Sequence, residues 1–271
     1  MQVREKIRCA LLNYGIEYFA ILPYEVCRET NHSIMEREGF TPRSIIIYLL
    51  PYYAGEAVNL SIYSSSLDYH IAISEVNSIL REALLADFPE ARIRGYGDHS
   101  PIDERHAALI GGLGIAGKNG LIINEKYGSF VFVGDLVTDV DPSLLSADFP
   151  KEIKGCEGCG ACLRACPTGI LRGEGEDCLS AITQRKGELT DDEIALMRKY
   201  NTAWGCDLCQ TSCPHNKKPT MTPVKFFYRD RIPHLTVEAL DNMTKEEFSS
   251  RAFAWRKMAT IRRNLLILED K

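Results

Sequence analysis

The sequence has no apolar run long enough to cross a bilayer. Its longest, SIIIYLL at 44–50, is far short of the ~20 residues a spanning helix needs. The N-terminal stretch MQVREKIRCALLNYGIEYF has early positive charges but no apolar segment of signal-peptide length. Together these predict a soluble, cytoplasmic protein in a reducing compartment, with no membrane partner. An excess of basic residues is missing too: the formal net charge is −5, which speaks against a chain devoted to nucleic acid. Disulfides are not required, because a fold of 271 residues buries roughly 75% of its extended surface.

Complete phosphate-binding loops are also absent. GGLGIAGKNG contains Gly112-x-Gly114-x-x-Gly117, and Gly112 to Lys118 nearly matches a phosphate loop. A helix precedes these glycines and strands follow, the reverse of a dinucleotide fingerprint, and Asn119 stands where the phosphate loop has Ser or Thr. The glycines are expected to make a turn or to let backbone approach a bulky ligand. His70, His99 and His106 have no ligand spacing with a carboxylate and read as surface or hydrogen-bonding histidines.

Against these absences stands a surplus of thiols. There are ten cysteines, eight of them between 156 and 213. In a reducing compartment such clustering points to metal binding or redox chemistry. KGCEGCGACLRACP spells C-x2-C-x2-C-x3-C-P through Cys156, Cys159, Cys162 and Cys166. GCDLCQTSCP supplies Cys206, Cys209 and Cys213, with Cys178 upstream. Two-cluster bacterial ferredoxins use this arrangement, and there the fourth cysteine of one run ligates the other cluster. Carried over, that crossing assigns Cys156, Cys159, Cys162 and Cys213 to one [4Fe-4S] cluster. It assigns Cys166, Cys178, Cys206 and Cys209 to a second. Zinc knuckles are the alternative, but zinc takes two pairs per ion, and three thiols at this spacing with two C-P endings favour iron–sulfur. Cys9 and Cys27 lie outside the pattern and read as buried structural thiols.

Element signals divide the chain into three parts. Residues 1–148 alternate helix-like and strand-like segments. REKIRCALLNYG reads as a helix ended by Gly15, and RSIIIYLLPY as a buried strand. DYHIAISEVNSILREALLADF reads as a helix with Ile71, Val76, Ile79, Leu80 and Leu84 at helical spacing. SPIDERHAALIGG reads as a helix with Ser100 at the cap and Pro101 in the first turn. GLIINEKYGSFVFVGDLVTDV reads as two short strands around a turn at Tyr127–Gly128. Residues 149–218 form the cysteine region, interrupted by a polar helix, TDDEIALMRKY. Residues 219–271 read as a helical tail packing back on the first domain. The tail is basic, with ten Lys/Arg against seven Asp/Glu over 221–271, leaving 22 against 30 elsewhere. Its stretch RAFAWRKMATIRR has five basic residues, no acidic ones and two aromatics, which reads as a solvated helix face or as a phosphate contact.

The blocks YGDHSPIDERHAALIGGLGIAGKNGLI and EKYGSFVFVGDLVTD, followed by the doubled cysteine motif with CLSAITQRKGEL and GCDLCQTSCPHN, resemble the epoxyqueuosine reductase family. LSIYSSSLDYH and FAWRKMATIRRNLLIL extend the resemblance, which runs from about residue 42 to 267. It implies an α/β (α+β) fold: an open-sheet cobalamin-binding domain like cobalamin-processing and nitroreductase-type proteins, plus a ferredoxin-like double [4Fe-4S] domain. It also implies an oxidoreductase that uses base-off cobalamin and an external low-potential electron donor. The substrate would be epoxyqueuosine in the anticodon region of tRNA, reduced to queuosine by a monomeric enzyme. On this resemblance the proton donor falls on Asp98. Cobalamin contacts fall on Ser61, Asp98, Ile122, Val133, Ser180, Cys206 and Asp207, and a tRNA contact on Lys186. Family members usually continue into a longer C-terminal region, whereas this sequence stops at 271. Ser64-Ser65-Ser66 stand where the family has a basic residue. A corrinoid reductase of another small epoxide or halide, and a ferredoxin-type electron carrier, are the alternatives.

Overall fold

A computed structural model describes residues 2–269; positions 1, 270 and 271, the outer ends of the expected first and third segments, lie outside the described residues. The chain forms two compact units. One comprises Met1–Tyr52, His70–Gly158 and Thr222–Lys225, the other Tyr53–Tyr69, Cys159–Met221 and Phe226–Lys271.

The first unit is built on an antiparallel sheet. Its strands are β1 (Phe19–Pro23), β2 (Ser44–Pro51), β3 (Ile93–Tyr96) and β6 (Val131–Thr138), in the order β1-β2-β6-β3. Two further strands, β4 (Ile115–Ala116) and β5 (Ile122–Ile123), pair only with each other. The expected open sheet with helices is therefore present. β2 is buried along its whole length, as the continuous apolar run requires. Helix α1 (Val3–Tyr14) ends at Gly15, and α2 (His32–Glu38) follows β1. Helix α3 (Tyr69–Leu85) buries Ala72, Ile73, Val76, Asn77, Leu80 and Leu84, while Ile71 and Ile79 face solvent. Tyr48 of β2 donates to Asn77 Oδ1 at 3.1 Å, tying α3 to one face of the sheet. On the other face, Ala107, Ala108 and Ile110 of α4 (Glu104–Ile110) pack with Ile45, Ile47, Leu49 and Val137.

One expectation is corrected here. Helix α4 starts later than SPIDER implies. Its cap is Asp103, whose carboxylate accepts the His106 N–H, and Ser100 is drawn instead to Asp135. The segment 121–138 holds the two expected strands, β5 and β6, around a turn at 124–128. β5 pairs back to β4, and a turn closed by Asn124 N–H to Gly128 O at 2.8 Å delivers the chain to β6. The glycine run makes this β4–β5 hairpin: a Cβ on Gly114 would stand 2.6 Å from Ile123 O. The run thus serves backbone packing and a turn.

The second unit is helical. It holds α5 (Ala161–Ala165), α6 (Leu179–Gln184), α7 (Asp191–Tyr200), α8 (Leu208–Thr211), α9 (Val237–Asp241), α10 (Lys245–Ser249) and α11 (Met258–Glu269). Thr190 and Glu193 close a capping box at the start of α7. Of the expected tail, Thr222–Lys225 cluster with the first unit and residues 226–269 belong to this one. Phe253, Ile261, Leu265 and Leu268 complete a core with Leu179, Ile182, Met197 and Trp204. Wholly buried Asn264 donates to Thr183 O at 2.6 Å and Ala203 O at 2.8 Å. Segment 53–69 joins the same unit through Ala203 N–H to Asn59 O and Ser61 N–H to Trp204 O, both 2.7 Å. The division between the two units falls between Gly158 and Cys159. Residues 154–156 are stitched to the first unit by Ala116 N–H to Lys154 O and Cys156 N–H to Ala116 O. No helix among the described residues is long and apolar enough to cross a membrane.

Candidate functional site

In the first unit, β3 ends at Tyr96 and the chain turns through Asp98 before entering α4. Asp98 has φ 67°, a left-handed conformation that costs a non-glycine residue ~1–3 kcal/mol. Its backbone N–H is held by Glu104 Oε1 at 3.1 Å. Its half-exposed carboxyl lies 3.5 Å from the half-exposed His70 Nε2. The side chain is thus presented to solvent on a backbone fixed from below.

What fixes it is a pair of carboxyls. Asp135 stands in the middle of β6, opposite Ile47 on β2 and Tyr96 on β3, and is fully buried. Ser100 Oγ donates to its Oδ2 at 3.1 Å, and Glu104 hydrogen-bonds to the same carboxyl. Burial pushes Glu104 up to about 9, helped by the neighbouring Asp135 and Asp98 charges. Burial likewise raises Asp135 to about 7, against the lowering effect of Glu104 and Ser100. At neutral pH this pocket therefore holds a proton. Sequence reading missed both residues. The available signal was one acid inside the otherwise apolar strand SFVFVGDLV.

Two other expected contacts lie in this unit. Val133 is half-buried on the same face of β6 as Asp135, two residues along. Ile122 is buried in the core beside α4. Cys27 is half-buried, its thiol raised to about 12 by burial and the Asp135 charge; Cys9 is half-buried and bonds Glu5 at 3.6 Å. Neither is the fully buried thiol expected.

In the second unit, Ser61 Oγ donates to Asp207 Oδ1 at 2.5 Å, and the Ile62 N–H reaches Oδ2 at 2.6 Å. Burial raises the Asp207 carboxyl, and these two donors oppose it. Gly205 permits the approach: it has φ 77°, and a Cβ there would stand 2.4 Å from Ser61 Cβ. Ser61, Cys206 and Asp207 line one cavity of about 170 Å³ with Leu179, Tyr200 and Thr211. Ser180, in the first turn of α6, accepts from Gln184 Nε2 at 3.0 Å. Lys186 is exposed between α6 and α7.

Cys162, Cys166 and Cys178 act on the Cys209 thiol, and Cys178 and Cys209 on Cys206, while among the described residues no three His, Cys, Asp or Glu side chains are drawn together as a ready metal site. Cys209 is raised to about 11, first by burial and then by Cys178, Asp207, Cys162 and Cys166. Cys206 is raised to about 12 by burial, opposed by the Leu208 N–H and reinforced by Cys178, Asp207 and Cys209. Burial acts to raise Cys166 as well, but N–H groups of Leu171, Thr168 and Gly169 and the Thr168 hydroxyl hold it below the ordinary thiol range. That nest suits a thiolate. The donor set is all sulfur, mutually repelling as free anions and so stabilised by a soft cation-rich centre. Cys156 is half-buried at the edge of the first unit.

The basic tail is mostly committed to the fold. Arg251 is buried and donates to Asp230 O at 2.6 Å. Arg262 grips Asp241, and Arg263 bonds Asn264 and Gly187 O. Arg256 lies 3.9 Å over the ring of Trp255, which is 59% exposed.

Residues 155–216 match the family described as a 4Fe-4S double cluster binding domain. The chain is 31% identical over 217 residues to an epoxyqueuosine reductase of Listeria monocytogenes, covering 76% of this chain and 55% of that protein. It spans about half the length of that relative. With an epoxyqueuosine reductase of Cyclobacterium marinum it shares 32% identity over 221 residues, covering 76% of this chain and 68% of the relative. A crystal structure of epoxyqueuosine reductase with an epoxyqueuosine-modified tRNA-Tyr stem loop aligns with a TM-score of 0.76 at 24% identity, over 97% of this chain and 80% of that one. This last likeness bears on the fold.

Proposed function

We propose that this chain, which belongs to the epoxyqueuosine reductase family, reduces the epoxide of epoxyqueuosine in tRNA to the alkene of queuosine. The reaction breaks both C–O bonds of the epoxide and forms a C=C bond. It consumes two electrons and two protons, and the oxygen leaves as water. The observation that carries the reading is Asp98: a carboxyl presented at φ 67°, on the residue to which the family block assigns the proton donor.

Two [4Fe-4S] clusters would be held by Cys156, Cys159, Cys162 and Cys213, and by Cys166, Cys178, Cys206 and Cys209. Cys178, Cys162 and Cys166 all act on Cys209, which supports thiols of the two runs lying together without dividing them between the clusters. In the second unit, Ser61, Ser180, Cys206 and Asp207 would contact cobalamin. The 170 Å³ cavity at Ser61, Cys206 and Asp207 would admit only part of so large a group. Asp207 keeps acceptor capacity for it, since a carboxylate has about four lone-pair sites and two are filled here. Cobalamin, when bound, supplies the low-potential electrons that no side chain can.

The chain's own residues do the rest. Asp98 holds a proton at its carboxyl and gives it up toward the departing oxygen. His70, 3.5 Å away, orients that carboxyl. Lys186, exposed beside the cluster unit, meets tRNA phosphate. The test is to quantify queuosine and its epoxide in tRNA from a strain lacking the gene. The epoxide accumulates and disappears on complementation. An unchanged ratio overturns the assignment.

A further inference from the structure

Asp135 Oδ1 is buried, and among the described residues no N–H or alcohol O–H reaches it. The Glu104 carboxyl lies within hydrogen-bonding reach of the Asp135 carboxyl. Ionised carboxyls only accept, so a hydrogen bond between two of them exists only when one carries a proton. The other Glu104 contact runs outward, Oε1 accepting the Asp98 N–H at 3.1 Å. Ser100, two residues on from Asp98, donates to Asp135 Oδ2 at 3.1 Å. The loop carrying Asp98 is thereby fastened to the sheet at both ends through the same two carboxyls.

We infer that Glu104 and Asp135 share one proton, and that this protonated pair is the anchor that positions Asp98. The inference rests on the reading of Asp98 as proton donor. A non-glycine residue keeps a positive φ only where its surroundings hold it, and the Asp98 amide is held by Glu104. Removing the shared proton would leave two buried like charges side by side, and repulsion would drive Glu104 away from Asp135 and out from under the loop. The surroundings offer little relief. Groups within the field of the pair are Tyr48 from β2, Tyr96 from β3, Cys27 after β1 and Asp98 from the loop. Next to Glu104 on α4, Arg105 donates from its guanidinium to Gly120 O at 2.5 Å, and His106 has a buried Nδ1 with no hydrogen-bond partner among the described residues. His70 faces Asp98 itself.

Glu104→Gln separates the proton from the anchor. A glutamine donates to Asp135 from Nε2 and accepts from Asp98 at Oε1 without titrating, whereas Glu104→Ala does neither. The full-length protein, without added cobalamin, is first compared by infrared spectroscopy at neutral pH. The wild type shows a protonated-carboxyl stretch that is lost in Glu104→Gln. Hydrogen exchange at the Asp98 amide is then about tenfold or more faster in Glu104→Ala than in Glu104→Gln, as loss of its acceptor requires. In the wild type it accelerates relative to Glu104→Gln as pH rises through about 9. With the loaded enzyme, turnover in Glu104→Gln lacks the alkaline limb contributed by this pair. Identical carboxyl bands in wild type and Glu104→Gln, or equal Asp98 exchange in all three proteins, overturns the anchor. Should Glu104→Ala fail to fold, Asp135→Asn serves: its amide donates to an ionised Glu104, so the band is lost while Asp98 stays protected. Loss of protection there also overturns the inference. Full turnover by Asp98→Asn would instead remove the donor reading and leave the spectroscopic results standing.

Discussion

The Ser61 hydroxyl is hydrogen-bonded to the Asp207 carboxyl at 2.5 Å, across 146 residues of sequence. The same carboxyl caps the Ile62 N–H, so one buried acid fixes the turn that leads segment 53–69 onto the cysteine unit. Ser61→Ala removes one of its two donors in a site that water reaches poorly. The expected loss is ~1.5–3 kcal/mol, the range for a hydrogen bond to a charged partner. The midpoint of denaturant unfolding measures it.

Asn264 makes a sharper case. Its amide satisfies two buried carbonyls, Thr183 O and Ala203 O, that otherwise have to be desolvated. Asn264→Ala is expected to cost ~2–4 kcal/mol. Asn264→Asp should cost more, because it sets a carboxylate against two carbonyl oxygens. Thermal unfolding of the two variants gives the order, and a smaller loss for Asp than for Ala contradicts it.

Protein stability should fall with rising pH through the range set by the acid pair. Glu104 and Asp135 both titrate higher in the fold than as free side chains, at about 9 and about 7. Between the ordinary carboxylate range and those values the folded state binds more protons than the unfolded one. Unfolding free energy therefore decreases as pH climbs and levels off above about 9. Scans of Tm against pH should show a shallower decline in Glu104→Gln than in the wild type.

The clusters give a compositional prediction. If the crossing is as proposed, Cys213→Ala removes the fourth thiol of the set begun by Cys156, although 57 positions separate them in the numbering. Anaerobically purified Cys213→Ala should contain about half the iron of the wild type. Undiminished iron would mean that Cys213 ligates neither cluster.

Local patterns carried much of the architecture into view. The continuous run SIIIYLL, bounded by Pro42 and Pro51, fits a buried strand, and β2 is that strand. Thr190 with Glu193 marks the start of α7 as a capping box. What stayed hidden depends on distant partners. Ser100 reads as a helix cap because its sequence neighbours suit one, yet a buried Asp135 competes for its hydroxyl. The tail reads as basic and solvated, but Arg251, Arg262 and Arg263 are fixed by Asp230, Asp241 and Gly187, partners that no local window contains. Glu104 and Asp135 are 31 positions apart in the numbering, and their shared proton exists only once β6 and α4 have met.

Asp98 allows stability and activity to be set against each other. Its left-handed backbone is strained by the side chain, not by its amide contact, which any residue keeps. Asp98→Gly should relieve that strain, partly offset by the greater entropy of an unfolded glycine, leaving stability unchanged or higher by up to ~1 kcal/mol. Asp98→Asn keeps the shape and the strain but cannot give up a proton. Both variants should retain the iron of the wild type and lose turnover by ~10²–10⁴-fold, the range for removal of a general acid. Unfolding curves, iron content and single-turnover assays on the same preparations decide the matter. A glycine variant that is clearly less stable would show that the carboxyl itself, through His70, holds the loop, and that its exposure serves the fold rather than the chemistry.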